Sequence, residues 1–124
     1  MKKNKIIYVP LAVDILHSGH LNILRKAKKY GDIVIGYSGS GNSPNVINAL
    51  KYAKSKGNYA IGITGNYKNG GGGKLATIAN LTLVFDALSM EVIEDLYLVV
   101  NHVIKENIKL LLKKNMKRLI GIRL

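Results

Sequence analysis

The strongest constraint on the fold is an alternation: short apolar, β-branched runs, each leading into a helix start. Residues 5–13 (KIIYVPLAV) read as a buried strand. Residues 18–30 follow as a helix, with Leu21, Leu24 and Ala27 at helical spacing and Gly31 as its stop. Residues 32–37 (DIVIGY) repeat the strand pattern. Ser43-Pro44 opens a second helix, Ser as the cap of free N–H groups and Pro in the first turn. Val46, Ile47, Leu50 and Ala53 form its buried stripe, and Gly57 ends it. Residues 59–64 (YAIGIT) are a third strand, and Gly70 to Gly73 a flexible loop with no core of its own. Residues 75–79 form one helical turn and 81–85 (LTLVF) a fourth strand. Ser89 then caps a long amphipathic helix to about Lys114, and 119–124 is a fifth strand or an unpaired tail. Strands alternating with helices imply parallel βαβ units, hence an α/β fold: a three-layer α/β/α sandwich, flavodoxin-like, on a parallel sheet of four to five strands.

Composition bounds what such a sandwich does. With 124 residues, a single α/β domain over 1–124 is expected. The absence of Cys excludes a disulfide framework, Cys-ligated zinc and a thiol nucleophile. No apolar run approaches the ~20 residues that span a bilayer. The basic start, Met1 to Lys5, lacks a continuous apolar stretch after it, so a cytoplasmic protein without a secretory signal is expected. The net charge of +12 raises the question of nucleic acid. Sixteen of the 19 basic residues are Lys, however, and they are dispersed, whereas base readout favours Arg. The eight aromatics, seven Tyr and one Phe, do not cluster into a stacking platform. Lys-rich solvated helix faces account for the charge, and specific nucleic-acid binding is not expected.

Two stretches carry chemistry. The first is the turn His17-Ser18-Gly19-His20 between the first strand and helix. Gly19 permits close approach of a ligand to the backbone, and the helix start offers N–H groups to phosphate. With LNILRKAKKYGDIVIG after it, this stretch resembles the opening of cytidylyltransferase-like nucleotidyltransferases. The resemblance covers residues 5–36 and implies that His17, Gly19 and His20 bind a nucleotide such as CTP.

The second is Ser38-Gly39-Ser40-Gly41-Asn42-Ser43-Pro44, a strand end running into a capped helix. Its hydroxyls and N–H groups suit a phosphate. An echo, DIVIGYSGSGNS against YAIGITGNYKNG, puts a second small-residue turn at the same sheet edge, where ligands of parallel sheets bind. From residue 32 to about 110 the chain resembles the sugar isomerase (SIS) domain, and within it the phosphoheptose isomerases. That resemblance implies an SIS-like sheet, a sugar phosphate as ligand, and Ser38, Ser40, Asn42 and Ser43 as the residues holding its phosphate. It also implies His102 as acid/base with Glu94 beside it; the two stand eight apart on one face of the last helix. An aldose–ketose isomerisation moves a proton between adjacent carbons, and a His titrating near neutrality suits that work.

Taken together, the expectation is a chimera, natural or designed. Residues 1–36 would be the nucleotidyltransferase-like βα unit, 37–114 the SIS-like part and 115–124 a basic tail. Phosphosugar binding with incomplete isomerase catalysis is expected, because the SIS units upstream of the phosphate loop are not in this sequence. Nucleotide binding or a non-catalytic chimera is the alternative. No cofactor is required, although zinc held by His102 with His17 and His20 is conceivable chemistry. A homo-oligomer is expected from the apolar face Val92, Leu96, Val99 and Val103.

Overall fold

A computed structural model describes residues 32–119, with side chains to 114, and the isolated helical positions Ser18, Asn22 and Arg25. The strand expected over 5–13, most of the helix over 18–30 and residues 120–124 lie outside the described residues, as do His17, Gly19 and His20.

The described elements run β1 (Ile33–Ser38), α1 (Pro44–Ser55), β2 (Tyr59–Gly65), a 3₁₀ turn (Tyr67–Asn69), α2 (Leu75–Ile78), β3 (Leu81–Phe85) and α3 (Met90–Leu119). The sheet is parallel in the order β1-β2-β3, with Ser38 opposite Thr64 and Gly65 opposite Phe85. Three strands are therefore described; the others of the expected sheet fall outside the described residues.

Because successive strand residues face opposite ways, each strand serves two layers. On one face Leu50, Ala60 and Leu75 form the buried core, with Val34, Val46, Ile78 and Ala79 packed around them. Gly36 and Gly62 lie side by side in the ladder beneath Val46, Leu50 and Leu75. A side chain at either glycine would hold the helices off the sheet. On the other face Ile93 of α3 is fully buried over Gly65, and Ile63 is buried as well. Helices on both faces make the three layers.

The first three turns of α3 cross the carboxyl ends of the strands; Leu81, at the opposite end of β3, and Leu83, at its middle, are exposed. Its start is as the sequence predicts: the Val92 N–H donates to Ser89 Oγ at 3.5 Å. Its end is not. The helix continues to Leu119, five residues past Lys114, because no Gly or Pro interrupts it before Gly121. Residue 119, read as the start of a fifth strand or an unpaired tail, is therefore helical, and the rest of that tail lies outside the described residues. Among the described residues no helix is long and apolar enough to cross a membrane.

Candidate functional site at the carboxyl edge of the sheet

The segment from Ser38 to Ser43 is a tight loop closing on α1. Ser38 ends β1 almost fully buried, and its Oγ lies 2.9 Å from Ser43 Oγ and accepts the Ser43 N–H at 3.4 Å. The sequence predicts Ser43 as the cap of α1. Its hydroxyl instead bonds Ser38, which the strand end holds within reach, and no side-chain hydrogen bond caps the helix. Two adjacent hydroxyls thus stand at a helix N-terminus that carries partial positive charge. Ser40 Oγ accepts the Asn42 N–H at 3.3 Å.

Asn42 braces the loop with both ends of its amide. Its Nδ2 donates to the Ser40 carbonyl at 3.0 Å, and its Oδ1 accepts the Lys74 N–H at 3.1 Å.

The glycine run is the other half of this structure. The sequence predicts a free loop there, but Gly72 is buried, and Gly71, Gly72 and Gly73 all take positive φ. That left-handed path turns the chain back under the loop, where the Leu75 N–H donates to the Gly41 carbonyl at 2.9 Å. The Gly65 N–H donates to Gly39 O at 3.1 Å, and the Gly71 N–H to Asn66 Oδ1 at 2.9 Å. Asn66 in turn donates to Asp86 beyond β3 at 3.0 Å. The ends of all three strands are so joined into one edge, with Thr64 fully buried beneath it.

From the opposite face α3 adds polar groups that the sequence motifs do not reveal. The Tyr37 hydroxyl donates to Asn101 Oδ1 at 2.7 Å, and the Tyr97 ring meets the edge of Tyr37 at 5.1 Å and lies 6.3 Å from Phe85. The Tyr97 hydroxyl is buried without a hydrogen-bond partner. Burial first, then the Glu94 carboxylate and the Tyr37 phenol, raise its ionisation well above the ordinary phenol range; the Ser38 backbone acts the other way. Only the i, i+4 spacing of Tyr97 from the core residue Ile93 signals it in the sequence.

A raised phenol stabilises the fold below its ordinary pKa and loses that contribution as pH rises past it. Stability is therefore expected to fall steeply in alkali, above about pH 10. Tyr97→Phe, which keeps the ring, should leave stability at pH 7 unchanged or higher and move the alkaline midpoint of CD-monitored unfolding upward. An unmoved midpoint would refute this.

Glu94 lies near this cluster, and both it and His102 are exposed. His102 stands nine residues beyond Ile93, about half a turn further round, and so on the side of α3 away from the sheet. The structure thus brings Ser38, Ser40, Asn42 and Ser43 together and does not bring His102 to them. Among the described residues, no three His, Asp or Glu side chains gather as a metal-binding set.

Residues 18–65 match the SIS domain. The SIS segment holds β1, the loop, α1 and β2. It begins at Ser18, inside the stretch expected from the sequence to form a nucleotidyltransferase-like unit. The chain is 38% identical over 74 residues to the phosphoheptose isomerase of Burkholderia pseudomallei, covering 60% of this chain and 36% of that protein. It is 40% identical over 74 residues to that of Aliarcobacter butzleri, covering 60% and 37%. It is 37% identical over 91 residues to the probable phosphoheptose isomerase of Thermoplasma acidophilum, covering 73% and 46%. The chain spans less than half the length of each of these relatives.

Proposed function

We propose that this chain binds the phosphate of a sugar phosphate at the loop between β1 and α1. The observation that carries the reading is the Ser38–Ser43 hydroxyl pair at the N-terminus of α1 without a side-chain cap. Phosphate is dianionic near neutrality and accepts from hydroxyls and backbone N–H groups alike. Ser38, Ser40 and Ser43 donate to it, Asn42 holds the loop in shape, and the chain's charge of +12 favours an anionic ligand. The named activity of the relatives supports a phosphorylated sugar, a heptose or hexose phosphate, as the ligand class.

Isomerisation is the weaker part of this reading. Glu94 and His102 are its acid/base candidates, but they stand about 12 Å apart along α3. A single copy is expected to isomerise slowly or not at all. Among the described residues, no three His, Asp or Glu side chains gather around His102, and the other two histidines of the zinc reading, His17 and His20, lie outside the described residues. The reading includes self-association of the chain and a cytoplasmic setting.

The alternative is nucleotide binding through His17, Gly19 and His20, in a nucleotidyltransferase-like unit joined to the SIS segment. It is favoured by the strand–turn–helix pattern that the sequence predicts around the motif and by the helical Ser18 within it.

One thermal-shift panel separates the two, run with and without zinc. A hundredfold excess of ligand over its Kd adds about 2.7 kcal/mol, several degrees in Tm for a domain of this size. A heptose or hexose phosphate is expected to give that shift. Ser40→Ala should remove it while leaving the unliganded Tm nearly unchanged, since Ser40 Oγ accepts only a long bond within its own loop. A shift with CTP that His17→Ala abolishes, and none with sugar phosphates, would establish the alternative instead.

A further inference from the structure

The stretch from Ile33 to Phe85 holds the three described strands, the loop before α1 and the glycine run, yet it contains no Asp or Glu. At ordinary usage a stretch of this length would carry several carboxylates. Its charged residues are all lysines: Lys51, Lys54, Lys56, Lys68 and Lys74. Three of them are engaged. Lys54 Nζ donates to the Ile78 carbonyl at 2.6 Å, and the ammonium groups of Lys56 and Lys68 lie 5.5 and 5.2 Å over the rings of Tyr52 and Tyr67. Lys51 stands about two turns into α1, away from the loop. Lys74 is exposed, and among the described residues its ammonium has neither an ion pair nor a hydrogen bond.

Lys74 is also the lysine whose backbone is fixed to the loop. Its N–H donates to Asn42 Oδ1 at 3.1 Å, and the next N–H, that of Leu75, donates to the Gly41 carbonyl at 2.9 Å. On its other side Gly73 lies so close to Ser40, Gly41 and Asn42 that an added methyl would overlap them. Three consecutive residues thus strap this backbone to the phosphate loop. The four-carbon stem of a lysine carries its ammonium about 6 Å from Cα, enough to reach across the loop from this anchor. The loop itself, Ser38 to Ser43, offers hydroxyls and N–H groups but no formal charge.

We propose that the Lys74 ammonium is the cationic partner of a phosphate bound at this loop. This rests on the phosphate-binding reading and adds to it a residue outside the Ser/Gly/Asn segment. A phosphate so held bridges α1 and the glycine run, with hydroxyls on one side and the ammonium on the other. Charge-assisted hydrogen bonds to phosphate are roughly twice as strong as neutral ones, so Lys74 is a main determinant of affinity. The lack of carboxylates from Ile33 to Phe85 serves the same end. No acid from that stretch competes for the ammonium, and none repels the incoming anion.

Calorimetric titration of the full chain with inorganic phosphate and with a hexose 6-phosphate, at low and high salt, tests this. Lys74→Gln is expected to weaken both ligands about tenfold or more and to flatten the salt dependence of Kd. Lys74→Arg, which keeps the charge, should restore most of the affinity. The unliganded Tm of both variants should stay near that of the unsubstituted chain, because the backbone makes the bond to Asn42. Lys68→Gln removes the same charge from the same edge of the sheet and should change Kd by less than about twofold. Equal losses in Lys68→Gln and Lys74→Gln would show a diffuse effect of net charge and overturn the contact. Unchanged binding in Lys74→Gln would overturn it as well, while the loop reading stands. Failure of the unsubstituted chain to bind either ligand would overturn the loop reading and this proposal with it.

Discussion

Gly41→Ala is expected to cost the fold about 3 kcal/mol or more and to abolish any phosphate-dependent gain in Tm. Two effects add. Gly41 has φ +67°, where an L side chain costs about 1–2 kcal/mol. A Cβ there would also run into the carbonyl oxygen of Gly72, which is backbone and cannot swing aside. Relief requires the glycine turn to move, with loss of the bond from the Leu75 N–H to the Gly41 carbonyl and the hold of Asn42 on Lys74. Gly71→Ala is the control. Its φ is +58°, but nothing lies within 4 Å of the added methyl, so only the backbone cost of about 1 kcal/mol is expected. Urea unfolding of both variants reads the difference. Equal losses would show that the packing of Gly41 against Gly72 contributes nothing. Total stabilities of domains this size are about 5–15 kcal/mol, so the expected difference is readily measured.

Ile93→Ala should cost about 2–5 kcal/mol, the range for emptying a fully buried aliphatic site. Its effect concentrates on α3, because Ile93 is the buried residue that seats this helix on Gly65. Gly65→Ala attacks the same seat from below, since its Cβ would overlap Ile93 Cδ1 and Cγ1. The two changes are complementary: the methyl added at residue 65 occupies part of the space that Ile93 vacates. The double variant is therefore expected to lose clearly less than the sum of the single losses, a coupling within the range of about 0.5–3 kcal/mol seen for residues in contact. Additive losses in denaturant unfolding would mean that α3 is seated some other way.

The elements are legible in the sequence because their signals are local. Val46, Ile47, Leu50 and Ala53 recur at helical spacing, and Ile47, Leu50 and Ala53 are buried in α1 as that spacing requires. Residues 81–85 read as a strand and form β3. The end of α3 is not legible in the same way. The amphipathic pattern reads as ending at about Lys114, whereas a helix already nucleated stops only where a breaker or a competing contact stops it. The phosphate loop shows itself in its run of Ser, Gly and Asn before Pro44. Its bracing does not, because Asn42 and Lys74 are 32 positions apart, as are Gly41 and Gly73, which sit in contact.

By itself, then, the sequence determined the α/β alternation, the parallel strands, and a small-residue loop suited to phosphate at a helix start. These follow from periodicity and from what Gly, Ser and Pro permit within a few bonds. Tertiary structure alone decided that Ser43 bonds Ser38 rather than capping α1, and that four glycines form a strut instead of a free loop. It also decided that Tyr97, a residue in no motif, buries its hydroxyl beneath the site while His102 turns outward. Each of these is set by which strand ends and helix faces the sheet brings together, and register across a sheet is not written in any one segment.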